Sequence, residues 1–138
     1  MNYIEELRND KYCLHDSIVA KAEFVNHKLE LTFSDGFWET NGHGKMVKQR
    51  NGCKIKLNFL IAEDDELNLS FYKETSKKRK ALKISEFFTL VNKYGFRICR
   101  EFRCGFSQQL VLEGNANNGK YILVTQEIVS IEYEFDDD

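Results

Sequence analysis

The stretch Leu14–Trp38, LHDSIVAKAEFVNHKLELTFSDGFW, decides the fold that this sequence predicts. Apolar side chains alternate with polar ones on even positions before Asn26, and on odd positions over residues 29–33. Successive side chains of a strand point to opposite faces, so each half of the stretch predicts a strand with one apolar face. Because Asn tolerates the left-handed backbone region that tight turns need, the two strands should form a hairpin that turns at residues 26–28.

A second tight turn is predicted at Asp35-Gly36. This dipeptide is the strongest short-range hairpin signal in the chain, because a type I′ turn needs positive φ at both central residues. The turn should bring Phe33 back towards Phe37 and Trp38. We therefore expect the rest of the chain to add strands to the hairpin.

Two later segments show the period-two alternation of half-buried strands. Residues 53–61 and 67–71 flank an acidic turn and predict a second hairpin. Further on, Phe96, Ile98 and Phe102 share one parity and should lie on one face of a strand.

The last part of the chain predicts two turns and a bend. Turns are expected near residues 105–108 and over residues 114–119, GNANNG. Apolar positions then change parity between residues 122–124 and 129–135, and a one-residue shift flips every side chain to the other face. A bulge or bend at residues 125–127 would restore the pattern.

One segment predicts a helix clearly. Ile84, Phe87, Phe88 and Val91 fall at i, i+3, i+4 and i+7, which forms an apolar stripe on one helical face. Gly95 is well placed to end the helix in the left-handed conformation. We predict a helix over about residues 84–94 that packs its Phe pair on one face of the sheet.

The fold class predicted is α+β, with a mostly antiparallel sheet of about six to eight strands built from hairpins and the helix on one face. A partly closed barrel around the helix is the alternative. The length of 138 residues fits a single domain over residues 1–138. Residues 1–12 should form a peripheral segment with a short helix over residues 2–10, and residues 136–138 an acidic tail.

Composition excludes some classes of function. Apolar residues make up 42% of the chain, enough for a core, and the net charge of −2 gives no global attraction to nucleic acid or anionic membranes. No apolar run approaches a membrane span, and the N-terminus lacks the pattern of a secretory signal, so we expect a cytoplasmic protein without membrane association. In that compartment the four cysteines should be reduced, mostly buried thiols. We expect no cofactor and no metal ion.

The opening Leu14-His15-Asp16-Ser17, with the hairpin that follows it, resembles the start of the sheet in several small bacterial proteins. Some of those proteins are immunity proteins of polymorphic toxin systems. The resemblance implies a small α+β protein that binds and blocks a toxin without performing chemistry. It supplies no functional residues to carry over to this chain.

The leading functional prediction is a non-enzymatic protein-interaction module, immunity-like on the strength of the resemblance. Its partner should be another protein, although an unpaired edge strand would also allow two copies to pair. The longest irregular stretch, residues 39–52, is the kind of segment where function concentrates. The predicted partner-binding residues are in or near that stretch or in the acidic turn: Trp38, His43, Arg50, Asp64 and Asp65.

The first alternative is a protein associated with nucleic acid. Five basic residues before the helix would contact phosphates: Lys77, Lys78, Arg79, Lys80 and Lys83. A simpler interpretation is a solvated connector over residues 75–83 that leads into the helix. The acidity of the rest of the chain would weaken non-specific binding to nucleic acid.

The second alternative is an enzyme with a site near His15 and His43. His15, Asp16 and Ser17 are the residue types of a catalytic triad, but on a strand Asp16 would point away from the other two. The simpler interpretation is a polar strand start whose side chains bond to nearby backbone groups. Cys13 and His15 are two apart and would share a face, yet no spacing in the chain matches a structural zinc site.

Overall fold

The computed structural model describes residues 2–5, 12–40, 46–49, 53–59 and 68–135. Within these residues the chain forms one helix, α1 (Ile84–Tyr94), and thirteen strands. The strands, in chain order, are β1 (Asn2–Glu5), β2 (Tyr12–Cys13), β3 (Ile18–Val25), β4 (Lys28–Phe33), β5 (Trp38–Thr40), β6 (Met46–Gln49), β7 (Lys54–Phe59), β8 (Leu69–Glu74), β9 (Arg79–Leu82), β10 (Phe96–Cys104), β11 (Gln109–Ala116), β12 (Gly119–Thr125) and β13 (Ile128–Glu134).

Ten of the described strands form one antiparallel sheet in the order β1-β13-β7-β4-β3-β10-β11-β12-β8-β9. The other three form a small sheet in the order β2-β5-β6. Strands β1 and β9 are the edges of the large sheet and do not pair with each other, so the described sheet is open. The α+β prediction is confirmed, and the barrel alternative is not. The large sheet has more strands than expected because short strands such as β1 and β9 leave too little alternation to detect.

The large sheet has two halves. We call β1, β13, β7, β4 and β3 the first half, and β10, β11, β12, β8 and β9 the second half. Within the described residues, the halves are joined by two residue pairs of β3 and β10. Beyond those two pairs, the side chain of Asn92 on α1 hydrogen-bonds the backbone of β3 in place of a strand. Its Oδ1 accepts from the Ala22 N–H at 2.9 Å, and its Nδ2 donates to the Ala22 carbonyl at 3.0 Å.

Helix α1 packs its apolar stripe as predicted. Phe87 and Val91 are fully buried, and the Phe87 ring lies 5.1 Å from Phe71 and 6.1 Å from Phe96 between ring centroids. Burying a side chain of this kind contributes about 1.5–3 kcal/mol. Gly95 ends the helix at φ 78°, and its N–H donates to the Val91 carbonyl at 2.8 Å.

The turns show which sequence signals were sufficient. Asn26 and His27 both have positive φ, 52° and 63°, and close the β3–β4 hairpin as predicted. At the second turn Gly36 alone has positive φ among the central pair. The ring of Phe37 does return to within 5.4 Å of Phe33 between centroids, but the following strand β5 pairs with β2 and β6 instead of β4. The prediction of a hairpin at this turn is therefore wrong.

Other strand pairings also differ from the prediction. Strand β7 lies between β4 and β13, and β8 lies between β12 and β9, so these two strands do not form a hairpin together. Residues 2–5 are the edge strand β1 and not a helix, and Tyr12 belongs to the core. Alternation identifies a strand but carries no information about its partner, which explains these errors. The acidic tail, residues 136–138, lies outside the described residues.

The predicted bend near the C-terminus is confirmed. Strand β12 ends at Thr125, β13 begins at Ile128, and Glu127 between them has φ 57°. The chain crosses here from the second half of the sheet to the first, and Ile131 and Tyr133 then face the core. The prediction that Val129 shares their face is wrong, because a register shift between Ile128 and Ser130 buries Ile128 and exposes Val129. The predicted turn over residues 114–119 is narrower in the structure, because residues 114–116 belong to β11.

Candidate functional site

The structure describes one of the five predicted partner-binding residues. Trp38 lies on β5 with its side chain half-buried, and its indole Nε1 is buried without a hydrogen-bond partner in the described part of the chain. His43, Arg50, Asp64 and Asp65 lie outside the described residues. The half-buried Trp38 offers a partner only part of its surface.

The five basic residues of the nucleic-acid alternative are all exposed, but they do not form a connector. They lie on the β8–β9 turn, on the edge strand β9 and at the residue before α1: Lys77, Lys78, Arg79, Lys80 and Lys83. Charged side chains, lysine above all, are common on edge strands because they discourage pairing with other copies. The prediction of an irregular connector is wrong, and edge position gives this cluster a structural reason.

His15, Asp16 and Ser17 form a turn before β3, where the prediction had a strand. Asp16 has φ 63°, and this conformation brings its Oδ2 to 3.3 Å from His15 Nδ1, so the two side chains are not on opposite sides. The Ser17 hydroxyl is buried and finds no partner among the described residues. His43 is outside the described part, and the described residues contain no group of three potential metal ligands.

All four cysteines are free thiols, but the prediction that most are buried is wrong. Cys53 alone is buried, Cys13 and Cys99 are half-buried, and Cys104 is exposed. Two of these thiols have shifted pKa values. Burial raises the pKa of Cys13, and hydrogen bonding with the Ser107 hydroxyl lowers the pKa of Cys104.

Strand β10 carries the most unusual arrangement in the described chain. A bulge between Ile98 and Arg100 shifts its register against β11. Before the bulge the apolar side chains face the core, as predicted. After it, Glu101 and Arg103 face inward, with side chains 9% and 8% exposed, whereas Phe102 faces solvent and is 50% exposed. The prediction that Phe102 lies on the core face is therefore wrong, because the bulge inverts the strand.

The inward-facing charges replace backbone hydrogen bonds between β10 and β2. Arg103 Nε and Nη2 each lie 2.8 Å from Glu101 Oε2. Arg103 Nη2 also donates to the Tyr12 carbonyl at 2.9 Å and to the Tyr133 hydroxyl at 3.0 Å. Glu101 Oε1 accepts the Leu14 N–H at 3.1 Å. The two side chains thus satisfy backbone groups of residues 12–14 where that segment and β10 no longer pair directly.

The electrostatics of this pair are consistent with a structural role. Burial disfavours the charge on Arg103, but Tyr133 and Glu101 outweigh it and raise the pKa of the guanidinium above its usual value. A buried ion pair costs several kcal/mol in desolvation per ion, so it rarely stabilises a fold more than apolar residues would. The inverted strand therefore stabilises this part of the core less than a strand with apolar side chains at these positions would.

The inversion leaves an apolar surface in solvent. We call it the hairpin surface and define it by the side chains of Arg100, Phe102, Cys104 and Phe106 together with Val111, the cross-strand partner of Phe102. Phe106 is fully exposed at the tip of the β10–β11 hairpin. Arg100 is exposed as well, and its Nε lies 4.0 Å from Oε2 of Glu113. Two exposed phenylalanines and an exposed arginine on one hairpin have the composition of a protein-binding surface.

Sequence reasoning missed this surface for two reasons. The parity of Phe102 matched Phe96 and Ile98, and the bulge that breaks this parity has no signature in the sequence. Phe106 did carry a signal, because a phenylalanine inside a predicted turn has no strand face or helix stripe to bury it.

Comparison with known proteins identifies no relative: no family model, no curated protein and no solved structure matches this chain. The described part of the chain contains no helix with the length and apolar character needed to cross a membrane. The resemblance of the Leu14–Ser17 opening to immunity proteins therefore stays a prediction.

Proposed function

We propose that this chain is a non-enzymatic protein-binding module whose partner docks on the hairpin surface. The observation that carries the proposal is the inversion of β10, which buries Glu101 and Arg103 while it exposes Phe102. A regular strand would hide the phenylalanine and solvate the charges. Places where a chain departs from such local rules tend to be functional, since the departure costs stability.

The composition of the surface supports a protein partner. Aromatic residues and arginine are enriched at protein interfaces, and a few such side chains carry most of the binding energy. Phe102, Phe106 and Arg100 provide such side chains. In its narrower, immunity-like form, the proposal makes the partner a toxin from the same cell that this chain binds and blocks.

The test is a comparison of variants in a pull-down from the native cell. The double variant Phe102→Ser/Phe106→Ser should fold normally, because exposed side chains contribute within about 0.5 kcal/mol to stability. It should lose the partner that the unaltered chain captures, with an affinity at least about tenfold weaker once the partner is purified.

The matched control is Tyr94→Ser, which removes an aromatic ring of similar exposure, 49%, at the end of α1. This variant should retain the partner. Equal capture by the double variant and the unaltered chain would contradict the proposal. For the immunity-like form, co-expression of this chain with the identified partner should protect cells from the partner's toxicity. Co-expression of the double variant should not protect them.

A further inference from the structure

We infer that the open edge of β9 is a second docking site, which takes an extended acidic peptide segment of a partner protein as an added strand. This site lies at the outer edge of the second half of the sheet, away from the hairpin surface on β10 and β11. It does not depend on the function proposed for that surface. Three observations carry the inference: the direction of backbone groups, the charge of the edge and an adjacent groove.

The register of the β8–β9 hairpin determines which backbone groups are free. The Thr75 N–H donates to the Lys78 carbonyl at 3.0 Å and closes the turn. Hydrogen-bonded and non-hydrogen-bonded pairs alternate along an antiparallel ladder. The pairs of Arg79 with Glu74 and of Ala81 with Tyr72 are therefore non-hydrogen-bonded, so the N–H and C=O groups of Arg79 and Ala81 point away from β8. An incoming strand requires this arrangement of donors and acceptors.

The charge of the edge specifies the occupant. Within the described residues one of the five cations has a carboxylate partner, since Arg79 Nη2 lies 3.2 Å from Glu74 Oε1. The four lysines of the cluster remain without an ion pair in that part of the chain: Lys77, Lys78, Lys80 and Lys83. A second copy of the same edge would bring like charges together. An acidic segment would neutralise them.

A groove with both apolar and polar side chains in its lining lies beside the edge. Its volume is about 480 Å³, and Leu69, Leu82 and Ile84 line it where β9 leads into α1. Side chains of an added strand alternate between two faces, and Lys80 and Leu82 share one face of β9, so one set of peptide side chains would meet both this lysine and the groove. A nucleic acid would use the positive charges and accept from backbone N–H groups, but its backbone has no donors in strand spacing for the C=O groups. The observations thus favour a peptide over a nucleic acid.

The experiment measures fluorescence anisotropy of labelled probes titrated with the full chain. The probes are a capped ten-residue peptide in which Glu alternates with Val, the same peptide with Gln in place of Glu, and a ten-nucleotide oligothymidine. The acidic peptide should bind with a salt-dependent affinity at least about tenfold tighter than the Gln peptide, because charge pairs at the edge are screened by salt.

Two variants of the edge test its geometry. Ala81→Pro removes the outward N–H without touching the β8 ladder and should weaken peptide binding about tenfold, whereas Ala81→Ser keeps the N–H and should bind as the unaltered chain does. Circular dichroism checks that the proline variant folds. If it does not fold, the triple variant Lys77→Gln/Lys78→Gln/Lys80→Gln tests the same site, with weaker binding and a flatter salt dependence expected.

Every other result overturns the inference. Tighter binding of oligothymidine than of the acidic peptide would assign the edge to nucleic acid. Equal binding of the acidic and Gln peptides, unchanged binding by folded Ala81→Pro, or no binding of any probe would leave the lysines as edge protection alone. The Phe102→Ser/Phe106→Ser variant should bind the acidic peptide normally, so failure at one surface is distinguishable from failure at the other.

Discussion

The hairpins β3–β4 and β10–β11 share a bulge and a charge pair in their first strands, but opposite faces of those strands are buried. Each has a bulge in its first strand, and each carries opposite charges two residues apart after that bulge. In β3 the pair is Lys21 and Glu23, 3.7 Å apart at the surface, while Ala22 between them is buried. In β10 the pair is Glu101 and Arg103, 2.8 Å apart in the core, while Phe102 between them is exposed.

The difference shows that the neighbouring chain decides which parity is buried. Strand β3 pairs with β4 on one side, and on its other side the Asn92 amide satisfies the Ala22 N–H and C=O groups, so no charged side chain has to turn inward there. Strand β10 diverges from residues 12–14, and there Glu101 and Arg103 supply hydrogen bonds to the Leu14 N–H and the Tyr12 carbonyl. Leaving such groups unsatisfied costs about 1–3 kcal/mol each, which favours turning a carboxylate and a guanidinium inward.

The largest effect should come from breaking the buried pair. Arg103→Met leaves the Glu101 carboxylate and the Tyr12 carbonyl without their donor in a nearly dry site. Removal of one member of a buried ion pair costs about 3–5 kcal/mol. Urea unfolding followed by circular dichroism should show this loss of stability. The matched control, Lys21→Met in β3, breaks a surface pair of the same spacing and should cost less than about 1 kcal/mol.

A double variant sharpens the comparison. Glu101→Leu/Arg103→Met removes both charges, so no buried charge is left unpaired, and its loss of stability should be smaller than that of Arg103→Met alone. It should still be less stable than the unaltered chain, because the Tyr12 carbonyl and the Leu14 N–H lose their hydrogen bonds to Arg103 and Glu101. A single variant as stable as the unaltered chain would contradict the role given to this pair.

The second largest effect should come from the residue opposite the β10 bulge. Gly114 faces Ile98 across the β10–β11 ladder, and a Cβ there would collide with the Arg97 carbonyl oxygen and lie 2.7 Å from the Phe96 ring. Since a backbone oxygen cannot move aside cheaply, Gly114→Ala should cost about 1–3 kcal/mol in urea unfolding.

Gly119→Ala on β12 is the control for that substitution. The three atoms nearest to its Cβ would belong to the side chain of Tyr121, at 2.8 Å or more, so a smaller loss of stability is expected. Equal losses for the two variants would mean that the bulge does not depend on the glycine. The β3 bulge does not require a glycine opposite it, since Phe33 and Thr32 occupy the opposite positions.

The sequence predicted the elements whose signals are local. The stripe from Ile84 to Val91 gave the helix, and Asn26-His27 gave the first hairpin. The change of parity near residue 125 gave the bend between β12 and β13. The packing follows the pattern throughout the helix stripe. At the start of β3 and of β13 a bulge changes the buried parity, so that Val19 and Ile128 are buried whereas Ala20 and Val129 are exposed.

The sequence could not predict features that a distant segment determines. The bulge in β10 turns Glu101 and Arg103 towards backbone groups of residues 12–14, which are about ninety positions away along the chain. No residue near Cys99 indicates a bulge in the sequence. The candidate site was missed for the same reason, since the exposure of Phe102 follows from the burial of Arg103. Likewise, the basic residues of β9 gave no sign that they border an open edge.

The outward face of β10 should also differ in thiol chemistry. Cys104 is exposed and its pKa is lowered by hydrogen bonding with Ser107, whereas burial raises the pKa of Cys13. Because the thiolate is the reactive form, iodoacetamide near neutral pH should modify Cys104 about tenfold faster than Cys13, with Cys53 slower still. Mass spectrometry of peptides over a time course measures the three rates.

The control for that prediction is Ser107→Ala, which removes the hydroxyl partner. The rate at Cys104 should fall at neutral pH, and the pH at which this thiol becomes reactive should rise. An unchanged rate profile would show that exposure alone makes Cys104 reactive.

The smallest effect concerns an ion pair in the first half of the sheet. Lys56 Nζ lies 2.9 Å from Glu134 Oε2 across β7 and β13, and this hydrogen bond lowers the pKa of Glu134. A lowered pKa means that the stabilisation is present above the pKa of the unfolded chain and disappears as the pH falls through the folded value. Glu134→Gln should therefore cost about 0.5 kcal/mol near neutral pH, since this pair is partly exposed, and nothing in acid once the pH lies below the folded pKa of Glu134.

Urea titrations at the two pH values measure the effect of Glu134→Gln, and the variant Lys56→Gln/Glu134→Gln completes a double-mutant cycle. The cycle is needed because Lys56 also lies 3.9 Å from Glu132 Oε2. A coupling energy that persists in acid would contradict the assignment of the pKa shift to Lys56. We expect a small coupling energy that vanishes in acid. Charge pairs in this sheet then contribute to stability mainly where they are buried. Their burial, in turn, is determined by which backbone groups the neighbouring strand leaves unpaired.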